Sequence, residues 1–289
     1  MYEQMLSDDF KNVMRKKYEN ILCDMDKPSI TKLKDFNLHL EMYSNAEKND
    51  INVYDFLHQF VQNPHHSFCN ELKRFGGQFN LGCKFTDGSK FICMDDLFLD
   101  ILNGECLIYS FGIADDWSFE DVMDNLGCKV YAFDGSVEYP KRRGNSIHFE
   151  KVWVSYETVE NKNRKSFERL LRDNGHDSTK ISYLKMDIEG NELKCLPPWL
   201  EQGILDNVQQ IGFEFHLDNK DNKYKNDKAT TMNFIDILKK LYFHGNYRLI
   251  SYEANGCAKN LETRKGRNQY FNLAEIVLRK IPQSHPCNI

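Results

Sequence analysis

Apolar and polar residues alternate in regular blocks through most of the chain, and the blocks have the lengths of strands and helices. Short runs rich in β-branched and aromatic residues predict buried strands, and amphipathic segments between them predict helices. The predicted strands lie at 106–111, 129–134, 147–154, 181–186, 208–215, 247–252 and 270–278. No helix is predicted between the last two, so we expect them to pair antiparallel. The pattern predicts an α/β fold whose seven-stranded sheet is mostly parallel, with one antiparallel strand.

The chain before the first of these strands divides into two parts. Residues 1–62 carry apolar stripes among charged residues and are predicted to be helical, with the last helix ending before Pro64. We expect them to form an N-terminal extension that docks on a domain of residues 63–289; covering a ligand or binding a partner are the alternatives. Turn signals at Gly76-Gly77 and Asp87-Gly88 predict a connecting layer with a hairpin.

Composition is that of an ordinary globular protein. The 289 residues are 41% hydrophobic and 28% charged, with a net charge of −5 and a pI near 6.0. This acidic balance gives no support to a nucleic-acid-binding surface, and no apolar run is long enough to span a membrane. The charged N-terminus and the lack of an N-x-S/T sequon favour the cytoplasm. The secretory lumen is the alternative if an N-terminal anchor has been trimmed.

Nine cysteines include no C-x-x-C pair, which argues against a zinc knuckle or a thioredoxin-type site. Cys106 and Cys128 lie inside apolar runs and are predicted to be small core residues. Cys69, Cys83 and Cys93 cluster in the sequence, so one disulfide among them is an open alternative for a secretory chain.

The stretch 106–134 has the layout of the first half of a nucleotide-binding βαβ unit. Its first strand ends at Gly112, a helix follows, and the second strand ends at Asp134, about 20 residues further on. A carboxylate at this place can accept hydrogen bonds from ribose hydroxyls. The G-x-G-x-x-G pattern is absent, and the acidic turn at Asp115-Asp116 would repel a pyrophosphate. Both features argue against NAD.

Polar residues follow the strands at 181–186 and 208–215 as well. The first is followed by Asp187-Ile188-Glu189-Gly190-Asn191-Glu192, and the second ends in Glu214-Phe215-His216. Because ligands of open α/β sheets bind outside the carboxyl ends of the strands, we expect these residues to lie beside the end of the first strand. A solvated acidic turn is the alternative for Glu189 and Glu192.

Several of these stretches resemble a known family. LKMDIEGNE at 184–192 is similar to the K-x-D-x-E-G-x-E signature of FkbM-related methyltransferases. Further stretches resemble the animal methyltransferase-like branch of that group: YSFGIADDWSFE (109–120), YAFDGS (131–136), NVQQIGFEFHL (207–217), NPHHSFC (63–69), RFGG (74–77) and DGSKFIC (87–93). The resemblance covers residues 63–217 and implies the class I, Rossmann-like fold of S-adenosylmethionine (SAM) dependent methyltransferases. It also implies O-methylation, often of sugar hydroxyls.

The resemblance places the cofactor along the ends of the first, second and fourth strands. It implies Tyr109, Ser110, Phe111 and Gly112 beneath the cofactor, Asp115 with Trp117 and Ser118 at its amino-acid end, Asp134 at the ribose, Gly135 and Ser136 at the adenine, and Asp187 at the sulfonium. Acids at Asp115 and Asp187 suit the positive charges of SAM. A common SAM turn has an acid and three glycines; here Ser110, Ala114 and Asp116 replace the acid and the later two glycines.

Methyl transfer from sulfur to oxygen needs a positioned acceptor and a base. His216, which titrates near neutral pH, is the predicted base, and Asp187 lies where transfer occurs. Glu189 or Glu214 is predicted to orient His216 or to bind acceptor hydroxyls. Two alternatives stay open: a structural hydrogen bond for His216, and convergence of Asp187, Glu214 and His216 on a divalent metal, which is not favoured.

The prediction for function is a SAM-dependent methyltransferase that acts on a hydroxyl of a sugar or glycan, with no nucleic-acid partner and no membrane span. The enzyme alternative is a methyltransferase for another small molecule or a peptide side chain. The other alternative is a SAM-fold protein that binds without transferring.

Overall fold

The computed structural model describes residues 53–64, 68–82, 84–139, 142–217, 228–256, 260–262, 269–271 and 273–281. Its strands are β1 Leu72–Phe75, β2 Gln78–Asn80, β3 Phe85–Asp87, β4 Lys90–Cys93, β5 Leu107–Phe111, β6 Lys129–Phe133, β7 Arg142–Arg143, β8 Ile147–Glu150, β9 Trp153–Ser155, β10 Arg164–Ser166, β11 Tyr183–Met186, β12 Gln210–His216, β13 Tyr247–Ala254, β14 Asn260–Glu262, β15 Gln269–Phe271 and β16 Leu273–Lys280. Its helices are α1 Val53–Val61, α2 Met94–Asn103, α3 Ser118–Asn125, α4 Phe167–Asp173, α5 Glu192–Glu201 and α6 Lys228–Phe243, with 3₁₀ helices at Glu160–Lys162 and Ile204–Asn207. None of the helices in this part of the chain has the length and apolar character needed to span a bilayer.

One large sheet organises the molecule, with its strands in the order β13-β16-β12-β11-β5-β6-β8-β7. The strands from β12 to β8 in this order are parallel, and β16 runs antiparallel to both of its neighbours. The predicted mostly parallel sheet with one reversed strand is therefore confirmed, and the two-residue β7 adds an antiparallel edge. The chain moves from β5 to one side through β6 and later to the other side through β11. The switch point of the sheet, where such folds bind ligands, thus lies between β5 and β11.

The central strands are apolar throughout because both faces of the sheet are covered. Every residue of β5 and β11 is buried. Successive side chains of β5 enter opposite cores: Tyr109 and Phe111 join one that includes Trp199, and Ile108 joins the other, with Tyr183. This packing fixes the carboxyl ends of the strands, where the candidate site lies.

The predicted third strand divides in two. β8 stays in the sheet, whereas β9 pairs in parallel with β10 outside it. The predicted last strand likewise begins later, at Leu273, because residues 269–271 pair with 260–262 in a separate ribbon. Helix α5 runs without a break through Pro197 and Pro198. Its buried neighbours Leu196 and Trp199 anchor that part of the helix in the core.

The N-terminal layer, defined here as residues 68–103, is a nested hairpin followed by α2. β1 pairs with β4 and, inside that pair, β2 pairs with β3. The sequence predicted a hairpin in this layer but not the second pair nested inside the first. Several contacts bind the layer to the sheet, among them those of Gln210 and Arg279. Gln210 exchanges two hydrogen bonds with the backbone of Cys93, both 2.8 Å long. The buried Arg279 guanidinium pairs with Asp96 at 2.8 Å and with Asp95 at 3.5 Å.

Two disulfides cross-link this part of the molecule. Cys69 and Cys93 are bonded, one of the alternatives left open by the sequence, and Cys83 lies outside the described residues. Cys106 and Cys128 are also bonded, which corrects the prediction that they are only small core residues. Both are buried as predicted, but each precedes one of the adjacent parallel strands β5 and β6, so that their Cα atoms lie 4.6 Å apart.

The predicted helix before Pro64 is present as α1, which packs on the domain core. Val53, Leu57 and Val61 are buried in the larger hydrophobic cluster, and the ring of Phe60 lies 5.4 Å from that of Tyr242 on α6. Residues 1–52, with the other predicted helices of the extension, lie outside the described residues. A domain boundary at residue 62 stays a prediction.

Candidate methyl-transfer site

A cavity of about 1270 Å³ opens at the carboxyl ends of β5, β6, β11 and β12. This volume exceeds the roughly 300–1,000 Å³ of a pocket for one drug-sized ligand, so two small molecules have room to meet there. The structure brings eight of the predicted site residues to the cavity wall: Gly112, Asp134, Gly135, Ser136, Asp187, Glu189, Glu214 and His216. The hairpin β2–β3 closes one side with Gln78, Phe79, Asn80, Leu81 and Asp87.

The remaining predicted cofactor residues do not line the cavity. Tyr109, Ser110 and Phe111 are fully buried within β5 and support the wall from behind. Trp117 packs in the core, and the Ser118 hydroxyl accepts a 2.5 Å hydrogen bond from the Gly77 backbone. Asp115 is exposed and accepts a hydrogen bond from the Tyr139 hydroxyl, while its neighbour Asp116 is the acid that reaches the cavity.

Gly112 holds a tight turn that no other residue could make at this place. Its φ is +78°, and an added Cβ would lie 1.8 Å from the backbone oxygen of Asp187. Ala114 also has a left-handed backbone, with φ of +48°, where a common SAM turn has glycine. The turn after β5 and the end of β11 are therefore packed directly against each other.

A buried ion pair beneath this turn is absent from the sequence prediction. Lys185 donates to Glu120 at 3.0 Å and to the carbonyl of Gly112 at 3.1 Å, and the Ser110 hydroxyl donates to the same Glu120 oxygen at 2.5 Å. Both charged side chains are almost completely buried. Ser110, which stands where the common turn has an acid, thus binds an acid supplied by α3.

Asp134 is held by four hydrogen bonds. One carboxylate oxygen accepts from the backbone N–H groups of Ile113 at 2.8 Å and Ala114 at 2.9 Å. The other accepts from the backbone N–H and the hydroxyl of Ser136, at 2.7 and 2.6 Å. Burial alone would raise the pKa of Asp134, but these hydrogen bonds outweigh it and hold the pKa below its usual value. The acid therefore ties the turn after β5 to the end of β6.

Gly135 meets an aromatic wall. An added Cβ at this residue would lie 2.2 Å from the ring of Trp153, which is half exposed and also lines the cavity. The backbone after Asp134 thus passes close to the indole ring of Trp153, and the exposed part of this ring is a surface on which a planar base can stack.

The signature after β11 contains one exposed and one buried acid. Glu189 is exposed and has a left-handed φ of +59°, which costs free energy for a side chain of this kind. Glu192 is fully buried and accepts a 2.6 Å hydrogen bond from the backbone of Ile188. Burial raises the pKa of Glu192 to about 7. The solvated-turn alternative thus fits the position of Glu189 but not that of Glu192.

His216 lies between two glutamates. Its Nδ1 is 3.9 Å from a carboxylate oxygen of Glu192, and its Nε2 is 3.5 Å from one of Glu214. Burial, together with the charges of Asp187 and Glu275, raises the pKa of Glu214 to about 9. Glu214 therefore carries a proton at neutral pH.

The hairpin reaches Glu214 through Asn255. The amide nitrogen of Asn255 donates to Glu214 at 2.7 Å and to Asp87 on β3 at 3.3 Å.

Two charged residues that the sequence prediction missed lie behind Asp187. Among the described residues, the carboxylates of Asp187, Glu214 and Glu275 each place an oxygen within 4.8 Å of the others. His216, which the metal alternative included, is not in this group. The ammonium of Lys90 contacts Glu275 and lies 3.6 Å from Asp187. A positive charge from the chain itself therefore occupies this place, and the metal alternative is not carried further.

Comparison with known proteins agrees with this geometry. Residues 13–262 match the methyltransferase domain family. The chain belongs to that family. Within it, the chain is 30% identical over 143 residues to the probable methyltransferase-like protein 24 of Homo sapiens, a match that covers 44% of this chain and 37% of the relative. The corresponding protein of Rattus norvegicus is also 30% identical and is covered to 38%. The chain thus matches little more than a third of each relative's length. The predicted relation to animal methyltransferase-like proteins is confirmed.

Two solved structures are similar to this chain only at a low level. The FkbM methyltransferase of Methylobacillus flagellatus KT is 10% identical with a TM-score of 0.33, covering 60% of this chain and 44% of that one. The N-terminal domain of EvdMO1 with SAH bound is 8% identical with a TM-score of 0.34, covering 64% and 78%. Similarity at this level does not transfer a substrate.

Proposed function

We propose that this methyltransferase-family protein uses SAM to methylate a hydroxyl group, with a sugar or glycan as the acceptor. The observation that carries the proposal is the meeting of three strand ends in one cavity. The Gly112 turn, Asp134 and Asp187 come from the adjacent strands β5, β6 and β11, at the switch point of the sheet.

The residues of the cavity suit SAM in shape and charge. The left-handed turn at Gly112 lets a ligand approach the backbone, and the wall at Gly135 and Trp153 offers a surface for adenine. Asp134 would hold the ribose, with the Ser136 hydroxyl as the partner that a ribose hydroxyl can replace. Asp187, which is partly exposed to the cavity, supplies negative charge for the sulfonium.

When bound, SAM would supply a methyl group whose carbon the acceptor oxygen attacks in line with the carbon–sulfur bond, and the electron pair of that broken bond would remain on sulfur. The chain must remove the acceptor's proton as the new carbon–oxygen bond forms. Burial and the neighbouring charges of Asp187 and Glu275 raise the pKa of Glu214 and favour its protonated form, which makes Glu214 the less suitable acceptor for this proton. His216 is therefore the proposed base, with Glu192 beside its Nδ1 to stabilise the imidazolium that forms.

Calorimetry with SAM, followed by a labelled-methyl transfer screen, tests the proposal. We expect SAM to bind and label to reach a neutral glycan or small polyol. His216→Gln should abolish transfer and leave SAM affinity within about threefold, because the base acts on the acceptor and not on the cofactor. Absence of binding at millimolar SAM would overturn the proposal. Binding without transfer to any glycan, small metabolite or peptide would favour a SAM-fold binding protein.

The two disulfides support a place for the chain in an oxidising compartment, since such bonds rarely persist in a reducing cytosol. We therefore propose the secretory pathway over the cytoplasm that the sequence pattern favoured.

A further inference from the structure

A row of glutamates crosses the sheet on the side that faces the N-terminal layer. Glu214, Glu275 and Glu253 occupy directly paired positions on the neighbouring strands β12, β16 and β13. Like charges placed opposite each other on adjacent strands repel, and burial increases the cost. Glu214 and Glu275 are both buried. Protonation of Glu214 relieves part of this repulsion, and the charge that remains on the row needs compensation from outside the sheet.

The N-terminal layer supplies two cations to this row. Arg74 on β1 pairs with Glu253 at 2.9 Å, near the surface. Lys90 on β4 contacts Glu275, and only 1% of the Lys90 side chain is exposed. Burial would lower the pKa of Lys90, but the charges of Glu275 and Asp187 outweigh it and raise that pKa above its usual value. The ammonium thus keeps its charge inside the protein.

Lys90 also reaches past the row to the cavity. Its ammonium lies 3.6 Å from Asp187, whose side chain is 25% exposed and lines the cavity wall. Docking of the layer does not need this contact, because Arg279 and Gln210 already fasten the layer to β16 and β12. The contact with Asp187 therefore has a use beyond attachment.

We propose that Lys90 is a positioning residue of the methyl-transfer site, which fixes the Asp187 carboxylate at the cavity wall while it offsets the buried charge of Glu275. This inference rests on the proposed function, because Asp187 is the acid expected to face the sulfonium. Lys90 does not line the cavity itself and acts only through Asp187.

Four variants separate positioning from charge compensation: Lys90→Met, Lys90→Arg, the double variant Lys90→Met with Glu275→Gln, and Lys73→Met as the matched control. Lys73 lies on β1 of the same layer, is exposed and pairs only with Glu71 among the described residues. Each variant is measured by calorimetry with SAM and by urea unfolding. Wild-type protein is measured alongside.

We expect Lys90→Met to bind SAM at least about tenfold more weakly and to unfold at lower urea, and Lys90→Arg to stay within about threefold of wild type. The double variant should regain much of the urea midpoint, because no unpaired charge is left in the core, and should keep the tenfold loss of SAM affinity. Lys73→Met should match wild type in both measurements. If Lys90→Met does not fold, the SAM affinity of the double variant decides.

Unchanged SAM affinity in Lys90→Met would overturn the inference. So would a double variant that regains SAM affinity together with stability, since Lys90 would then only compensate Glu275. Wild-type protein that binds no SAM would overturn the proposed function itself and this inference with it. Wild-type binding with unaffected Lys90 variants removes the role of Lys90 alone.

Discussion

Asp134 and Glu192 are both buried acids beside the cavity, yet their surroundings shift their pKa values in opposite directions. Asp134 accepts four hydrogen bonds, which favour its ionised form and lower its pKa. Glu192 also accepts backbone hydrogen bonds that lower its pKa, but burial outweighs them and raises its pKa to about 7. Asp134 is therefore a fixed charge at neutral pH, whereas Glu192 can exchange a proton close to the proposed base.

Asp134→Asn should destabilise the protein and weaken SAM binding. The amide would turn an N–H donor towards either the Ile113 and Ala114 N–H groups or those of Ser136, which leaves buried donors without an acceptor. We expect a loss of about 1–3 kcal/mol in the free energy of unfolding, measured with urea. Glu138→Gln, a change at an exposed acid near the same strand end, is the control. Equal stability of both variants would contradict this account of the turn.

Glu192→Gln should remove part of the pH dependence of stability. The folded-state pKa of Glu192 is raised from 4.5 to about 7, so between these values the folded protein holds a proton that the unfolded chain has lost. This contribution is fully present below about pH 4.5 and is lost as pH rises through 7. We expect Glu192→Gln to gain about 1–3 kcal/mol relative to wild type between pH 5 and pH 8.

Urea unfolding at several pH values measures the effect of Glu192→Gln, with Glu168→Gln as the control. Glu168 lies on the exposed surface of α4, where it pairs with Arg172. A stability difference between Glu192→Gln and wild type that stays constant from pH 5 to pH 8 would show that the buried carboxyl keeps its ordinary proton affinity.

Residues that face the cavity from strand ends could be predicted from the sequence, because ligands of such sheets bind at the carboxyl ends of the strands. Lys90, Glu120 and Glu275 could not be predicted, since the oppositely charged residue that each contacts lies far along the chain. The position of Glu275 in the sequence nevertheless indicates a buried charge. A glutamate in the middle of the apolar run 273–278 is a charge that must be paired if the strand is buried. The partner could not be named without the fold.

At the scale of elements, strands and helices with a clear apolar period were predicted from the sequence. Features that depend on which strands pair with each other were not. The parallel strands and their helices are found where apolar runs and amphipathic segments predicted them. The division of 147–154 into β8 and β9 was not visible, because both halves are apolar and the break depends on the partner β10. A hairpin was predicted in the N-terminal layer from its glycine turns, but its nested pairing and its position over the cavity were not.

The disulfides join elements that are adjacent only in the fold. Cys69–Cys93 closes the N-terminal layer and Cys106–Cys128 links the starts of β5 and β6, with sequence separations of 24 and 22. Removal of either bond by a double Cys→Ser change should lower the free energy of unfolding by about 3 kcal/mol, because each bond restricts a loop of this length in the unfolded chain.

Urea unfolding with and without reductant measures the contribution of the disulfides, and thiol alkylation of the unfolded protein before reduction should spare the four bonded cysteines. Cys195→Ala serves as the control, since Cys195 is a free, buried cysteine and its loss should leave the effect of reductant unchanged. Full alkylation of all four cysteines in non-reduced protein would contradict the pairing.

At the scale of the whole molecule, the large sheet and the N-terminal layer together form the cavity, and each contributes different groups to it. The parallel strands present the turn, the acids and the base, and the N-terminal layer adds a wall and two cations. The family match spans both parts, since it runs from residue 13 to residue 262. A fragment that begins at β5 would therefore contain the predicted cofactor residues but lack the ammonium behind Asp187.

The close approach of Gly112 to Asp187 has a consequence for the thermodynamics of binding. The N–H of Gly112 donates to Phe133 and that of Asp187 donates to Phe111, so the strands on both sides hold the turn. A ligand that meets this backbone finds it already ordered, and the loss of conformational entropy is borne when the chain folds rather than when the ligand arrives. The affinity of a ligand at this edge of the cavity then depends on its contacts with the protein, because ordering of the loop takes little of the binding free energy.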